Sequence, residues 1–135
     1  MILTSFNIRG LGGDSKFLAL KRAFVVIKPY IVFIQETMVE HARACQYVLN
    51  LFPGWEVCVV DSLGHSGGLL CIWNHAVCDF VSYSTIVGIV LEGCIWWVHE
   101  RVVLVNCYGP YKDCEPFWKS VMDCGLLMEN NLIIG

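Results

Sequence analysis

The sequence predicts an α/β fold, and two features carry that prediction. Four consecutive apolar residues, Ile31–Ile34, run directly into Gln35 and Glu36. Such a run is typical of a strand buried on both faces, because a half-exposed strand alternates polar and apolar residues. A strand, a helix and this second strand open the chain. A β-α-β unit of this kind places its two strands parallel, joined by a right-handed crossover.

The N-terminal part of the chain divides into two strand–helix units. The first strand spans Ile2–Ile8. Ser15 is the expected N-cap of a helix that ends before Pro29, and its apolar positions follow helical spacing: Phe17, Leu20, Phe24 and Ile27. In the second unit, Thr37–Glu40 has the pattern of a capping box and Pro53 ends the helix. That helix has one predicted apolar stripe: Met38, Ala42, Cys45, Leu49 and Phe52.

From Trp55 the pattern changes to short strands joined by links of hairpin length. Six strands are predicted there: Trp55–Val60, Gly68–Trp73, Val77–Tyr83, Ile86–Leu91, Ile95–His99 and Val102–Tyr108. A third helix is predicted to start at Lys112 or Asp113 and to run through Phe117, Val121 and Leu127. The apolar segment Leu132–Gly135 predicts a further buried strand.

The composition bounds the class of protein. A chain of 135 residues forms one domain, and its 56% hydrophobic and 16% charged residues make it apolar for such a domain. No apolar run reaches the roughly 20 residues that cross a bilayer, and the N-terminus has no pattern of a signal peptide. We therefore expect no membrane association, and an intracellular protein that is not secreted. The net charge of −3 argues against a module that binds nucleic acid through charge alone.

The eight cysteines do not form a metal or redox motif. No two of them are closer than seven residues, so no Cys-x-x-Cys exists, and a zinc ribbon or thioredoxin-type site is excluded. Four lie in predicted apolar strands, where a reduced cysteine acts as a small core residue: Cys58, Cys71, Cys94 and Cys107.

Polar side chains end three of the predicted strands. Asn7 and Glu36 end two parallel strands, so both project at the carboxyl edge of one sheet, where open α/β sheets bind ligands. An amide oxygen and a carboxylate are hard donors that suit Mg²⁺. Tyr108 follows a third apolar strand, where its hydroxyl would reach a phosphate oxygen. The alternatives are that Glu36 is a solvated residue after a strand and that Tyr108 is a strand aromatic with a wet hydroxyl.

Four segments, in this order and spacing, resemble the endonuclease/exonuclease/phosphatase (DNase-I-like) superfamily: Ser5–Gly10, Lys28–Thr37, Ser66–Leu69 and Val105–Pro110. The closest likeness is to the apurinic-type endonuclease domain of plant LINE-type (non-LTR) retrotransposons. The resemblance covers the whole chain. It implies about the first half of a four-layer α/β/β/α sandwich, so residues 1–135 are expected to be one truncated domain of this superfamily.

The resemblance also implies the site and its chemistry. Asn7 and Glu36 match the metal-binding pair of the family, and Tyr108 matches its active-site tyrosine, so these three are the expected catalytic residues. The implied cofactor is Mg²⁺ or Mn²⁺, and the implied activity is hydrolysis of a phosphodiester, with DNA as the family substrate. A retroelement-like protein of this kind would be nuclear. The Ser66-Gly67-Gly68 segment is assigned a structural role.

The sequence also departs from the family. After Leu132–Gly135 the family continues into Gly-Asp-Phe-Asn, and it later has a Ser-Asp-His motif; neither occurs here. Four histidines are present, and none has the matching context: His41, His65, His75 and His99. Tyr30 stands where relatives carry an aspartate. We therefore expect an inactive fragment, with one sheet lacking its partner and with exposed faces and edges that favour self-association.

Three alternatives stay open at this point. The chain would be a retroelement-derived remnant with no specific activity, or another phosphatase or exonuclease of the superfamily. Within the superfamily, mRNA tails, inositol phosphates and sphingomyelin are the other substrates. A non-catalytic binding module is the third alternative, and the acidic charge balance argues against it.

Overall fold

The computed structural model describes residues 1–63, 66–110 and 112–135. The elements are β1 (Leu3–Asn7), α1 (Asp14–Ile27), β2 (Ile31–Gln35), α2 (His41–Leu51), β3 (Glu56–Leu63), β4 (Ser66–Trp73), β5 (Cys78–Thr85), β6 (Gly88–Ile95), β7 (Val102–Cys107), α3 (Cys114–Asp123) and β8 (Leu132–Ile134). A 3₁₀ turn at Leu126–Met128 lies between α3 and β8.

The strands form two four-stranded sheets. The first sheet has the order β1-β2-β4-β3, and the second has the order β5-β6-β7-β8. β1 and β2 are parallel, which confirms the pairing predicted for the opening β-α-β unit. β4 lies antiparallel between β2 and β3, and in the second sheet only the β7–β8 pair is parallel among the described pairs.

The strand β2 is buried on both faces, as its unbroken apolar run predicts. Residues 31–34 are each at most 1% exposed. Ile31 and Phe33 face the second sheet, where they join a core that includes Leu91 and Leu104. Val32 and Ile34 face the other way, toward the helices α1 and α2, and join a second core there. β2 is therefore an interior strand of the first sheet that packs on both neighbouring layers.

The helices α1 and α2 cover the outer face of the first sheet, and the 3₁₀ turn contacts the outer face of the second. Leu20 and Phe24 of α1 and Ala44 and Val48 of α2 pack on the outer face of the first sheet. On the outer face of the second sheet, Val90, Val103 and Val105 form a small cluster against Leu126 of the 3₁₀ turn and Leu132. The mixed α/β architecture, with helices outside two packed sheets, is the predicted one.

The expectation of a sheet without its partner is wrong. Both sheets are present in the described residues, and they share one buried core, so the high apolar content fills two interfaces. The strands β1, β3, β5 and β8 lie at the sheet edges. Self-association through these edges stays a prediction. Among the described residues, no helix combines the length and apolar character that a membrane crossing requires.

The predicted strand Ile95–His99 does not form. Glu92 and Gly93, which were expected to make a turn, lie inside β6 and pair with strands on both sides. Glycine is required at position 93 because a Cβ there would lie 2.0 Å from the carbonyl oxygen of Asp79. Glycine in a strand marks a close backbone approach as well as a turn. Between α2 and α3 the described residues therefore form five strands, where six were predicted.

The predicted stripe of the second helix is confirmed only in part, since Phe52 is buried but Met38, Ala42 and Leu49 are exposed. α2 begins at His41, with Glu40 at its N-cap and no side-chain capping bond, so the Thr37 capping box does not form. Thr37 is instead fully buried beside the end of β2. The buried residues of the helix are Ala44 and Val48, whereas Leu49 is 65% exposed.

The first and third helices differ from the prediction mainly at their ends. α1 starts at Asp14 after Gly13, one residue before the predicted cap Ser15, and its Leu20 and Phe24 are buried as predicted. α3 ends at Asp123, short of Leu127, because Gly125 adopts a left-handed φ of 77° that a helix cannot continue through.

All eight cysteines are free. Cys71 and Cys78 are buried, and Cys58 and Cys107 are half-buried, but Cys94 is exposed, so its assignment to the core is wrong. Burial raises the pKa of the Cys71 thiol well above its ordinary value, and it raises the pKa of Cys78 to about 11. These two thiols therefore stay protonated at neutral pH and act as core residues.

The shared core between the sheets predicts a matched pair of stability changes. Ile89 is 0% exposed in that core, whereas Ile86, three residues earlier, is 83% exposed. Ile89→Ala is expected to lower the free energy of unfolding by about 2–5 kcal/mol, through lost burial and a cavity. Ile86→Ala is expected to change it by less than about 0.5 kcal/mol. Urea titration followed by tryptophan fluorescence measures both, and equal midpoints would contradict the two-sheet core.

Candidate functional site

Asn7 and Glu36 meet at the carboxyl ends of β1 and β2. The side-chain nitrogen Nδ2 of Asn7 donates a hydrogen bond of 2.9 Å to Oε1 of Glu36. Glu36 is only 3% exposed, whereas Asn7 is exposed. The parallel register places Asn7 opposite Gln35, the residue before Glu36, and this pairing explains the contact. The structure thus brings the two predicted metal ligands together, and their metal binding stays a prediction.

The backbone at this edge is strained. Arg9, Glu36 and Met38 adopt left-handed φ angles of 46°, 54° and 51°. This conformation costs a non-glycine residue about 1–2 kcal/mol. Short backbone hydrogen bonds hold it: the amides of Gly10 and Leu11 donate to the carbonyl oxygens of Glu36 and Thr37, each at 2.7 Å. Backbone strain of this kind concentrates at functional sites.

Two further segments support the edge from either side. The amides of Thr37 and Met38 donate to the carbonyls of Gly68 and Gly67, each at 3.2 Å, so the start of β4 holds the loop after β2. On the other side, Nζ of Lys16 donates to the carbonyl oxygens of Ile8 and Arg9, at 3.0 and 2.6 Å. The glycine pair therefore has the structural role that its motif predicted.

Tyr108 lies one residue after the end of β7, in the second sheet. It is half-buried, and its hydroxyl oxygen is shielded from solvent. The side chain lines a cleft of about 550 Å³ that Gly67, Gly68 and Phe117 also line. Tyr108 and the Glu36 loop therefore border the same end of the sandwich, as predicted from the strand ends.

A polar contact that was not predicted joins the two sheets at this end. Gln35 Nε2 donates to Oδ1 of Asn106 at 3.1 Å and to the carbonyl oxygen of Cys107 at 3.2 Å. Asn106 is 0% exposed. One signal for it was present in the sequence, since Asn106 is the polar residue within the otherwise apolar run of β7.

The histidines give no additional ligand in the described residues. His75 follows the end of β4, and His99 precedes β7, so both lie at the opposite end of the sandwich from Glu36. His41 is exposed at the start of α2, and His65 lies outside the described residues. Over the described ranges, no group of three or more His, Cys, Asp or Glu side chains is arranged to hold a metal ion.

The donor set at the edge nevertheless fits Mg²⁺. The Glu36 carboxylate and the Asn7 amide oxygen are hard donors, and the two side chains are joined by the hydrogen bond from Asn7 Nδ2 to Glu36 Oε1. Mg²⁺ commonly takes one or two protein carboxylates and keeps several waters, so it does not need a larger protein cage. The two side chains therefore fit part of a site for a hard divalent cation.

Comparison with known proteins gives matches in structure alone. No protein-family model and no curated protein sequence matches the chain. The endonuclease domain of TRAS1, a telomere-specific non-LTR retrotransposon, matches 97% of this chain with a TM-score of 0.68 and 18% identity. The AP endonuclease LMAP from Leishmania major matches 97% with a TM-score of 0.70 and 15% identity. The chain has the DNase-I-like fold.

The DNase-I-like match also agrees with the predicted extent. TDP2 from C. elegans matches 96% of this chain with a TM-score of 0.64 and 17% identity. The chain covers 57% of the TRAS1 domain, 52% of LMAP and 44% of this TDP2, which is about half the length of the solved structures. The predicted fold, about half of a DNase-I-like sandwich, is confirmed.

The glycine pair that supports the Glu36 loop of this DNase-I-like chain predicts an asymmetric effect of alanine. Gly67 and Gly68 have similar φ angles of 81° and 87°, so Ala at either position carries the same backbone strain. A Cβ at Gly68 would lie 2.3 Å from Oγ1 of Thr37, whereas a Cβ at Gly67 meets nothing within 4 Å. Gly68→Ala is therefore expected to destabilise the chain by at least about 1 kcal/mol more than Gly67→Ala.

Urea unfolding of the two alanine variants measures this difference directly, since each serves as the control of the other. Equal unfolding midpoints would contradict the close packing of Thr37 on Gly68.

Proposed function

We propose that the chain carries the metal-binding part of a divalent-metal-dependent phosphodiester hydrolase of the nuclease type. The observation that carries this proposal is the buried Glu36 carboxylate, which accepts a hydrogen bond of 2.9 Å from Asn7 at the carboxyl edge of the first sheet. The strained backbone at Glu36 supports it, since the loop holds an unfavourable conformation around this carboxylate. The endonuclease domain, AP endonuclease and 3′ phosphatase among the matching structures agree with this chemistry.

The proposed roles follow from the positions of the side chains. Glu36 and the amide oxygen of Asn7 would hold Mg²⁺ or Mn²⁺, and the hydrogen bond between the two side chains fixes the orientation of the carboxylate. When bound, the cation would neutralise and polarise a phosphodiester. Tyr108 borders the cleft, and its hydroxyl, which is shielded in this structure, would have to turn toward the cleft to donate to a phosphate oxygen and orient the substrate.

DNA is the proposed substrate. Among the matching structures, TDP2 from D. rerio is complexed with a single-strand DNA product, and the 3′ phosphatase NExo from Neisseria is bound to a product DNA hairpin. The TRAS1 domain belongs to a retrotransposon. A retroelement-like protein that cleaves DNA would act in the nucleus, so a nuclear location is part of the proposal.

We also propose that residues 1–135 alone are inactive. The Gly-Asp-Phe-Asn and Ser-Asp-His motifs of the family are not in this sequence, and its general base and histidine come from them. Groups that act together in catalysis lose nearly all of their effect when members are removed. Asn7, Glu36 and Tyr108 would therefore bind and orient without completing hydrolysis.

The metal site predicts a specific loss of Mn²⁺ affinity. Glu36→Gln removes the charge with little change of shape, and we expect it to weaken Mn²⁺ binding at least about tenfold, because a carboxylate is the main attraction for the ion. Glu40→Gln, at an exposed glutamate four residues later, is the matched control and should leave the affinity unchanged. Electron paramagnetic resonance of free Mn²⁺ measures both, and equal affinities would contradict the site.

A second prediction concerns activity. With Mg²⁺ and supercoiled plasmid DNA, the 135-residue chain is expected to show no nicking above background, while the TRAS1 endonuclease domain serves as positive control. Nicking that disappears in Glu36→Ala would contradict the proposed inactivity but agree with the site. Nicking that survives Glu36→Ala would contradict the proposed site itself.

A further inference from the structure

Gln35 and Asn106 form a polar contact between the two sheets, next to the apolar core that the sheets share. Gln35 is the last residue of β2, and Asn106 is the residue before the end of β7. Gln35 Nε2 donates to Asn106 Oδ1 at 3.1 Å and to the carbonyl oxygen of Cys107 at 3.2 Å. One side chain of the first sheet thus binds both a side chain and the backbone of the second.

Asn106 completes the contact in the opposite direction. Its Nδ2 donates to the carbonyl oxygen of Leu70 at 3.1 Å and to that of Ile34 at 3.4 Å. Leu70 and Ile34 face each other in the β2–β4 pair, so a single amide from β7 spans two neighbouring strands of the first sheet. Both donors and the acceptor of this fully buried amide have partners, as a buried polar group requires.

The contact directly adjoins the candidate site. Glu36 is the next residue after Gln35, and Tyr108 is the next residue after Cys107, whose carbonyl accepts from Gln35. Glu36 belongs to the first sheet and Tyr108 follows the second. Apolar side chains such as Phe33 and Leu104 also pack between the sheets. Apolar packing has no preferred direction, whereas hydrogen bonds fix distance and angle.

We propose that Gln35 and Asn106 are positioning residues, which fix the end of β7 against the end of β2 and so set the place of Tyr108 relative to Glu36. The proposal rests on the metal site described above. It assigns these residues no contact with substrate or cation. Their effect is to hold two groups on different sheets at one separation, which the packing of the sheets alone would leave adjustable.

The effect of this contact on stability is separate from its effect on the position of Tyr108. Replacing one of the two amides leaves its partner buried without a hydrogen bond, which lowers stability, but the apolar cores still hold the sheets together. A positioning role predicts that such a replacement leaves the fold and the cation affinity intact but loosens Tyr108. Designed sites fail in a comparable way when the supporting groups are about 1 Å too loose.

The test combines Mn²⁺ with fluorine NMR of the chain labelled with 3-fluorotyrosine. The chain has five tyrosines, and Tyr108→Phe identifies the resonance of Tyr108 by its loss. Mn²⁺ bound near Glu36 broadens this resonance to an extent that depends steeply on distance. The variant is Gln35→Met, which keeps the length of the side chain without its amide. The matched control is Gln46→Met, at an exposed glutamine of α2.

For Gln35→Met we expect Mn²⁺ affinity within about threefold of the parent chain and a change of threefold or more in the broadening of Tyr108. Gln46→Met should match the parent chain in both. Asn106→Leu is the second variant and should reproduce the effect of Gln35→Met. Preserved resonance dispersion and a cooperative urea transition show that each variant is folded. The urea midpoint is expected to fall, because the partner groups stay buried without the amide.

The outcomes separate this proposal from the proposed function. Unchanged broadening of Tyr108 in folded Gln35→Met and Asn106→Leu, with Mn²⁺ still bound, would overturn the positioning role. A parent chain that binds no Mn²⁺, or that binds it equally well as Glu36→Gln, would instead overturn the metal site on which the proposal rests.

Discussion

The structure depends on the burial of β2 on both of its faces. The strand contributes Ile31 and Phe33 to the core between the sheets and Val32 and Ile34 to the core beneath the helices. A strand with no solvated face has no place for polar side chains along its length. The polar groups therefore begin where the strand ends, at Gln35 and Glu36. The same constraint thus places the candidate site at one end of the sandwich.

Much of the architecture around β2 could be predicted because its signals are local. The unbroken apolar run, the parallel partner and the approach of Asn7 to Glu36 follow from strand ends and from one crossover. The strand order could not be predicted in the same way. β4 pairs with both β2 and β3, and local sequence signals do not show which strands become neighbours. The prediction of a turn at Gly93 is wrong for a similar reason. The local sequence does not reveal that the carbonyl of Asp79 leaves no room for a side chain at this position.

The positions of the candidate site residues could also be predicted from local signals. Asn7, Glu36 and Tyr108 are visible as polar residues at strand ends and in family motifs. Gln35 and Asn106 are in those motifs too. Their contact with each other could not be predicted, because they lie 71 residues apart in sequence and on different sheets. The apolar stripe of α2 was predicted correctly only in part, for a related reason. The backbone of the preceding loop is hydrogen-bonded to Gly67 and Gly68, so the helix starts later than its local sequence predicts. Long-range hydrogen bonds leave no periodic trace in a sequence.

The left-handed conformation of Glu36 has a consequence for which residue this position would favour. On conformational grounds, glycine or asparagine suits a φ of 54° better than glutamate does. Selection for stability alone would therefore remove the carboxylate, whereas the proposed metal binding would keep it. If Glu36 has the proposed role, stability and function oppose each other at position 36, as is common in sites that hold strained residues.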